Sequence, residues 1–314
     1  MKFVFLDQDV NRDFINGNEV IAPLKKLGDV CCYDDDPCPQ EELYERAKDA
    51  DVIIFSINQL GNTLIEKLAQ NKKLKHIQFM GIGYKNYLDA EFCRSLGITA
   101  LGVGEYGSNA IAEYALALML SSIRGISIGD RRMKKHEWNM KGLLGGEIAG
   151  STVGVVGTGA IGRLVAQKLH LLGAEVIAFD VREDHELIEK YGVKYVSLEK
   201  LMQTSDIVSV HLKYTSRTEK IISADMLSMM KNEAVFINTA RAQIVDYDAL
   251  LHMLTDGKIR AAAVDVHYGE PPHNWDLASM DNVIATPHIA YFTAVANTNL
   301  LRKSVESVLK NISK

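Results

Sequence analysis

Short apolar runs separated by polar, helix-like stretches recur along most of this chain. In its first hundred residues the runs lie at 3–6, 30–33, 52–56, 76–80 and 98–101, and helix-like stretches such as 41–50 and 63–70 lie between them. Apolar runs of four to five residues with polar boundaries are typical of buried strands, and alternation with helices is typical of βαβ units. The pattern therefore predicts one α/β layer in the N-terminal third.

A second series of runs follows a long apolar helix predicted over residues 110–123. The polar, glycine-dotted passage at 124–150 is interpreted as a connector or an interface element. Six strand candidates come next, at 152–156, 176–180, 207–212, 234–239, 261–266 and 283–286. Six strands joined by crossovers predict a doubly wound parallel sheet with helices on both faces.

The last predicted helix, at 293–311, follows the completed second sheet. We assign this helix to the first layer, which makes the second sheet an insertion. The predicted domains are residues 1–100 with 289–314, and residues 101–288. Chain crossings near Leu101 and His288 would act as hinges, with a ligand between the domains.

Composition and charge narrow the possible functions. The chain has 314 residues, of which 47% are hydrophobic, and a formal net charge of −5. An acidic chain with only short basic runs lacks the electrostatic footprint of a nucleic-acid-binding protein. No apolar stretch approaches the roughly 20 residues of a membrane span, so we expect a cytoplasmic protein with no membrane contact. The four cysteines have no metal-ligand spacing, which predicts reduced thiols and no metal site.

A glycine cluster lies between the apolar run 152–156 and the helix-like stretch 160–172; its members are Gly157, Gly159 and Gly162. Such a turn lets N–H groups at a helix start approach a pyrophosphate, and Asp180 at the end of the next run can accept from a ribose hydroxyl. A tight turn without a ligand is the weaker alternative. Because a carboxylate at position 180 would repel the extra phosphate of NADP, we expect NAD, and Arg182 keeps NADP as the alternative.

The same glycine spacing occurs once upstream, at Gly102, Gly104 and Gly107. No apolar strand ending in an acid follows this copy at the expected distance, since Asp130 comes after polar residues and a glycine-containing turn. The upstream copy is therefore interpreted as a loop.

Three polar residues follow predicted strands in the C-terminal half: Arg241, Glu270 and His288. The carboxyl ends of parallel strands face the ligand crevice, so these side chains should converge. Arg241 offers a planar fork of donors for a carboxylate and can polarise a carbonyl; His288 can exchange a proton near neutral pH. Glu270 would stabilise the imidazolium of His288. Taken singly, each residue has a common structural explanation, but together behind a nucleotide fold they predict a catalytic site.

Six motifs follow one another along the chain: GIGYKNYLD at 81–89, AEY at 112–114, GTGAIG at 157–162, NTAR at 238–241, DVHYGEP at 265–271 and TPH at 286–288. Together they resemble the D-2-hydroxyacid dehydrogenase family, and the likeness spans nearly the whole chain. It implies a Rossmann nucleotide domain inserted into a smaller flavodoxin-like substrate domain. It also implies a homodimer formed through the nucleotide domains and the helix at 110–124.

The resemblance implies roles for individual residues. Arg241 and the backbone of Ile82 and Gly83 would hold the substrate carboxylate, while His288, paired with Glu270, moves the proton. Hydride would pass directly between substrate C2 and the nicotinamide. In addition to the glycines and Asp180, the implied cofactor contacts are Ala160, Ile161, Leu212, Lys213, Thr239, Ala240, Arg241, Asp265 and His288. His211 and His267 are expected to be structural.

The segment HIAYFT at 288–293 resembles the aromatic stretch of D-lactate and D-2-hydroxyisocaproate dehydrogenases, which favours a small or apolar 2-oxo acid as substrate. Glyoxylate or hydroxypyruvate reduction stays open. An alternative of another class is an NAD-sensing protein similar to the co-repressors that share this fold, which would bind a partner peptide without turnover. Lys85, Lys213 and Ala242 depart from the family pattern, but none of them replaces a proposed catalytic group.

Overall fold

A computed structural model describes residues 1–7, 12–34 and 38–312 of the chain. The chain forms two compact units, Met1–Gly107 with Phe292–Lys314, and Ser108–Tyr291. These boundaries lie 7 and 3 residues after the predicted ones, 100/101 and 288/289. Hydrogen bonds within each unit extend beyond the predicted boundaries. Val103 N–H donates to the carbonyl of Gly81 within the first unit, and the N–H groups of Ile289 and Ala290 donate to Asp265 within the second.

The N-terminal part of the first unit alternates strands and helices. Its elements are β1 (Lys2–Phe5), α1 (Arg12–Asn16), α2 (Ala22–Leu27), β2 (Asp29–Cys32), α3 (Gln40–Ala47), β3 (Val52–Phe55), α4 (Asn62–Ala69), β4 (His76–Phe79), α5 (Ala90–Ser95) and β5 (Thr99–Leu101). Short 3-10 turns occur at Glu19–Ile21 and Tyr84–Asn86. The strands form one parallel sheet in the order β2-β1-β3-β4-β5, which confirms all five predicted strands.

The second unit begins with two helices and continues as a larger α/β fold. Its elements are α6 (Ser108–Arg124), α7 (Ile126–Lys134), β6 (Thr152–Val156), α8 (Ala160–Leu171), β7 (Glu175–Phe179), α9 (His185–Tyr191), β8 (Lys194–Tyr195), α10 (Leu198–Thr204), β9 (Ile207–Val210), α11 (Ala224–Ser228), β10 (Val235–Asn238), α12 (Tyr247–Thr255), β11 (Ala261–Val264) and β12 (Val283–Ala285). Two 3-10 turns lie at Ala242–Ile244 and Leu277–Ser279.

The second sheet is parallel, and its strand order is β12-β11-β10-β9-β6-β7-β8. Seven strands are present where the sequence predicts six, because β8 has only two residues and therefore forms no apolar run. The passage at 124–150, interpreted as a connector or an interface element, contains the helix α7. This helix lies within a polar passage that contains glycines, and it buries none of its residues.

Both faces of the second sheet are covered, as a doubly wound fold requires. Val153 and Val155 of β6 pack in one core with residues of α6 and α8, whereas Val156 packs in the opposite core with residues of α10 and α12. The strand order reverses between β6 and β9, which are neighbours in the middle of the sheet. Loops at the carboxyl ends of two such strands border the crevice where ligands bind in this class of fold.

The last helix, α13 (Ala294–Ile312), returns to the first unit. Its Leu301 and Val305 share a core with Phe3 and Phe5 on one face of the first sheet. The opposite face packs against a second core that contains Val4. These contacts place α13 against the first sheet.

Among the described residues, no single helix is long and apolar enough to cross a membrane, whereas α6 and α7 meet the length and composition test only as a pair with a 66° bend. Ala112, Ala115 and Met119 of α6 are buried in the core of the second unit.

Candidate active site

Arg241, Glu270 and His288 follow three neighbouring strands of the second sheet. Arg241 comes 3 residues after β10, Glu270 comes 6 residues after β11, and His288 comes 3 residues after β12. The strands β10, β11 and β12 pair in parallel and in register. Their carboxyl ends therefore lie at one edge of the sheet, and the three side chains extend from that edge.

His288 and Glu270 form a direct pair. The Nδ1 atom of His288 lies 2.7 Å from Oε2 of Glu270, and the two side chains are 32% and 37% exposed. The other carboxylate oxygen, Oε1, accepts the N–H of His267 at 3.2 Å. Because Glu270 occupies Nδ1, the ring nitrogen left for a ligand is Nε2.

The surroundings of Glu270 favour its charged form. Burial raises the pKa of Glu270, but the hydrogen bond and charge of His288 lower it, together with the His267 N–H and the charge of Arg241. The lowering effects prevail, so the pKa of Glu270 is below its ordinary value. The pair can therefore work as a carboxylate that orients and stabilises an imidazolium.

The loop that carries His288 is held by a buried acid. His288 has a φ of 56°, in the left-handed region that side chains with a Cβ rarely adopt. Asp265 is fully buried, and its carboxylate accepts the hydroxyl of Thr286 at 2.6 Å and the N–H groups of Ile289 and Ala290 at 2.9 and 2.8 Å. Three bonds on both sides of His288 hold it in this conformation, at a cost of about 1–3 kcal/mol for the strained backbone.

Asp265 therefore anchors the loop in addition to its expected place among the cofactor contacts. Sequence reasoning missed this role, although an acid directly after an apolar strand is an unusual residue for a buried position.

Arg241 lies in a turn after β10 that is held by hydrogen bonds of Asn238 and Ala240. Its Nη1 atom donates to the carbonyl of Ala240 at 2.6 Å. Asn238, fully buried, accepts the Ala240 N–H at 2.9 Å and donates through Nδ2 to the Arg241 carbonyl at 3.1 Å. Thr239 in the same turn is also buried, and its hydroxyl has no hydrogen-bond partner among the described residues.

The glycine cluster forms the turn between β6 and α8. Gly157 has a φ of 95°, and a Cβ at Gly162 would overlap the carbonyl oxygen of Gly157. Around Gly159, by contrast, a Cβ would meet no described atom within 4 Å, so the backbone there is open to a ligand. Gly159 is the N-cap of α8 and supplies no side-chain bond to the first turn, which contains Ala160 and Ile161. The first N–H groups of α8 are thus available to an anion.

Two further cofactor candidates border this turn. Leu212 and Lys213 follow β9, and the backbone nitrogen of Leu212 lies so close that a Cβ at Gly157 would come within 2.9 Å of it. Asp180 directly follows β7, and its Oδ2 accepts the Thr158 N–H at 2.7 Å. The structure therefore brings the glycines, Asp180 and Leu212 together around one loop cluster, and Lys213 follows Leu212 in the chain.

These residues fit a dinucleotide. An uncapped helix start behind crowded glycines suits a pyrophosphate, and the Asp180 carboxylate beside it suits a ribose. The hydroxyl of Thr239, which has no partner in the part of the chain that the structure describes, is a buried polar group that a ligand can satisfy.

His211 and His267 make structural contacts. His211 Nε2 lies 2.8 Å from the hydroxyl of Ser209, and burial lowers the pKa of His211 to about 4. Its side chain packs beneath Gly162. His267 Nε2 lies 2.9 Å from the carbonyl of Thr286. These contacts agree with the roles expected for both histidines.

The remaining substrate candidates belong to the first unit. Ile82 is 52% exposed, and Gly83 is the N-cap of the 3-10 turn Tyr84–Asn86. Their part in carboxylate binding stays a prediction. The upstream glycine copy is a loop, as predicted; Gly102 packs on this segment, where its Cβ would lie 2.6 Å from the carbonyl of Gly81.

Residues 116–290 match the family model described as D-isomer specific 2-hydroxyacid dehydrogenase, NAD binding domain. The chain belongs to this family. Its NAD-binding domain contains the glycine cluster as well as Arg241, Glu270 and His288, and the fold predicted from the family resemblance is confirmed.

Relatives of this dehydrogenase-family protein differ in length and in substrate. The D-3-phosphoglycerate dehydrogenase of Methanocaldococcus jannaschii is 35% identical over 86% of this chain, which spans only 52% of that relative. The hydroxypyruvate reductase of Thermotoga maritima is 34% identical, and the match covers 87% of this chain and 88% of that enzyme. The structure of a D-lactate dehydrogenase from Aquifex aeolicus complexed with NAD and lactic acid is similar with a TM-score of 0.81 and 27% identity, covering 100% of this chain and 96% of that one.

Proposed function

We propose that this protein is an NAD-dependent oxidoreductase that interconverts a small D-2-hydroxy acid and the corresponding 2-oxo acid. The observation that carries the proposal is the His288–Glu270 pair on the strand edge that also bears Arg241. Bound NAD supplies the chemistry of hydride transfer at C2 of the substrate. The residues of the chain supply binding, orientation and the proton.

Arg241 binds the substrate carboxylate. Its guanidinium offers two parallel N–H donors to a carboxylate and places a positive charge beside the C2 oxygen. A positive charge there stabilises the negative charge that develops on this oxygen during reduction. The backbone of Ile82 and Gly83 is proposed to hold the same carboxylate from the substrate domain.

His288 moves the proton. With Nδ1 bound to Glu270, the Nε2 atom faces the substrate and donates to the C2 oxygen during reduction, or accepts the hydroxyl proton during oxidation. Glu270 is negatively charged, so it stabilises the protonated form of His288 and fixes the orientation of the ring.

The substrate is proposed to be a small 2-oxo acid such as pyruvate or 2-oxoisocaproate. Hydroxypyruvate is the second candidate, because the relative that matches over 88% of its own length is a hydroxypyruvate reductase. Glyoxylate, a smaller 2-oxo acid than hydroxypyruvate, is a further candidate substrate. The binding cofactor is proposed to be NAD in preference to NADP, because of the carboxylate of Asp180.

A substrate panel tests the proposal. Pyruvate, 2-oxoisocaproate, hydroxypyruvate and glyoxylate are each supplied with NADH or NADPH, and cofactor oxidation is followed. At least one of the four should be reduced with NADH, and Arg241→Ala should lower kcat/KM for it by about 100-fold or more. No oxidation with any acid, together with cofactor-dependent binding of a partner protein, would instead favour the co-repressor-like alternative.

The protein is further proposed to be a cytoplasmic homodimer. Between α7 and β6 the second unit exposes Trp138, Met140 and Leu144, of which Trp138 is 86% and Leu144 is 89% exposed. Large apolar side chains close together in sequence at such exposure are typical of a protein interface. The four cysteines are thiols, which suits a reducing compartment. Light scattering should give twice the chain mass, and the mass of one chain would contradict the dimer.

A further inference from the structure

Two segments of the second unit carry different parts of the proposed site. One runs from Asn238 to Tyr247 and bears Arg241; the other runs from Asp265 to Glu270 and bears the partner of His288. The first segment follows β10 and the second follows β11, which is the neighbouring strand. The position of one segment relative to the other depends on the pairing of β10 with β11 and on the side-chain contacts between the two segments.

A tyrosine from the first segment bonds to the second. Tyr247 is the first residue of α12, and its hydroxyl donates to the carbonyl of Val266 at 2.9 Å. The same hydroxyl accepts from Nδ2 of Asn238 at 3.0 Å, and this amide also donates to the carbonyl of Arg241. The hydroxyl of Tyr247 therefore stands between the turn of Arg241 and the start of the Glu270 loop.

A tyrosine from the second segment bonds back to the first. The hydroxyl of Tyr268 donates to the carbonyl of Val245 at 2.9 Å. The rings of Tyr247 and Tyr268 meet edge to face, with centroids 5.5 Å apart and an interplanar angle of 88°. Such a contact is favourable for aromatic rings and leaves both hydroxyls free to bond in opposite directions.

The hydroxyls of Tyr247 and Tyr268 keep the protons that they donate in these hydrogen bonds. Burial is the main cause that raises the pKa of Tyr247, and it also raises that of Tyr268. Both groups therefore stay protonated at every pH at which the protein would be assayed.

We infer that Tyr247 and Tyr268 form a reciprocal clasp that fixes the Arg241 turn relative to the Glu270 loop. This inference rests on the proposed function, since it assigns the clasp to the positioning of those two groups. Neither tyrosine is proposed to contact substrate, so both are positioning residues. Each hydroxyl spans from its own segment to a backbone carbonyl of the other, and the Asn238 amide extends the link to the Arg241 backbone.

The clasp predicts a coupled effect on binding and rate. Arg241 is assigned to substrate binding and Glu270 to proton transfer, so a loosened clasp should raise the KM for the 2-oxo acid and lower kcat together. The KM for NADH should change less than the KM for the 2-oxo acid, because the glycine turn and Asp180 lie outside both segments, whereas Thr239, Ala240 and Asp265 lie within them.

The test uses Tyr247→Phe and Tyr268→Phe, each of which removes one hydroxyl and keeps the ring. We expect kcat/KM for the reduced 2-oxo acid to fall about 10-fold in each variant. Tyr191→Phe is the matched control; Tyr191 lies on α9 and packs against His170, so activity should remain unchanged. Thermal unfolding verifies that each variant is folded. If one tyrosine variant does not fold, the other still tests the inference.

A double-mutant cycle with Glu270→Gln distinguishes positioning from general stability. If the clasp acts through Glu270, the loss caused by Tyr247→Phe should shrink from about 10-fold to under 3-fold in the Glu270→Gln background. If the loss of kcat/KM in the double variant equals the product of the losses in Tyr247→Phe and Glu270→Gln, the inference is overturned. Wild-type kinetics in both tyrosine variants would overturn it as well. Full activity of Glu270→Gln and Arg241→Ala would instead refute the proposed function, which separates the two failures.

Discussion

The Nδ1 atom of His288 lies 2.7 Å from the Oε2 atom of Glu270, although the two residues are 18 positions apart in the chain. Each follows one of two adjacent parallel strands, β12 and β11, and their loops bring the side chains together at the strand ends. The geometry occupies one nitrogen of the ring and leaves the other for substrate. A single carboxylate thus fixes the orientation of the ring of the proposed proton donor.

Replacing Glu270 with glutamine should impair catalysis more than substrate binding. Glu270→Gln keeps the size of the side chain but removes the charge that stabilises the imidazolium of His288, so we expect kcat to fall about 100-fold with KM changed less than about 3-fold. Because the pKa of Glu270 is lowered, the wild-type carboxylate is ionised at pH 7. Steady-state kinetics at pH 7 measures kcat and KM, and a variant with the wild-type kcat would contradict this assignment.

Asp265→Asn should disturb the loop of His288. An amide has one acceptor oxygen where the carboxylate has two, and its NH₂ group would face the N–H of Ile289 or Ala290. We expect a loss of about 2 kcal/mol in unfolding free energy and a fall of 10-fold or more in kcat. Denaturant titration and steady-state kinetics measure the two effects.

Asp206→Asn is the control for this loop. Asp206 also accepts a backbone N–H, that of Thr152, but it lies at the start of β9, at the opposite edge of the sheet from the proposed site. This variant should keep the wild-type kcat. An unchanged kcat in Asp265→Asn, or an equal loss in both variants, would show that the Asp265 carboxylate does not position His288.

Asp180 should determine the choice between NAD and NADP. Its carboxylate accepts the N–H of Thr158 in the glycine turn and would lie beside the extra phosphate of NADP. In Asp180→Ser we expect the ratio of kcat/KM for NADPH to that for NADH to rise at least 10-fold. Glu183→Ser removes a nearby exposed charge and should leave the ratio unchanged. Equal ratios in wild type and Asp180→Ser would assign the cofactor preference to another residue.

His211 should make the protein less stable in mild acid. Burial lowers its pKa from 6.5 to about 4, so the unfolded chain takes up a proton below pH 6.5 that the folded protein does not bind until about pH 4. The stability is complete above pH 6.5 and declines as the pH falls toward 4, by about 2 kcal/mol at pH 5. His76, whose pKa burial also lowers, adds to the wild-type slope.

His211→Gln isolates the share of this histidine. The variant retains a polar partner for Ser209 and should show a smaller loss of unfolding free energy between pH 7 and pH 5 than wild type, by that same amount of about 2 kcal/mol. Denaturant unfolding at both pH values measures the difference. Identical pH slopes would mean that His211 titrates alike in the folded and unfolded chains.

Much of the fold could be predicted because parallel strands buried on both faces are continuous apolar runs. Two elements could not. The strand β8 pairs through only two residues, too few for an apolar run, and α7 lies in a polar passage that contains glycines and buries no side chain. The unit boundaries lie a few residues after the predicted ones, within loops whose tertiary contacts, such as those of Ile289 and Ala290 with Asp265, leave no mark in the sequence pattern.

The parts of the site that depend on residue type and strand position could be predicted from the sequence. The parts that depend on tertiary contacts could not. Arg241, Glu270 and His288 follow strand ends, which topology brings to one edge. The loop-anchoring role of Asp265 depends on bonds to residues more than 20 positions away, and the reciprocal bonds of Tyr247 and Tyr268 depend on the packing of two loops. Sequence spacing does not contain that information.

Transfer of a label from the cofactor shows whether hydride reaches C2 of the substrate directly. NADH carrying deuterium in both positions at C4 of the nicotinamide is incubated with the 2-oxo acid reduced fastest in the panel, and the product is examined by NMR and chiral chromatography. We expect the D-2-hydroxy acid with one deuterium at C2, formed by Glu270→Gln only at the residual rate of that variant. Product without deuterium at C2, the L-isomer, or no reduction of any 2-oxo acid would contradict the proposed reaction.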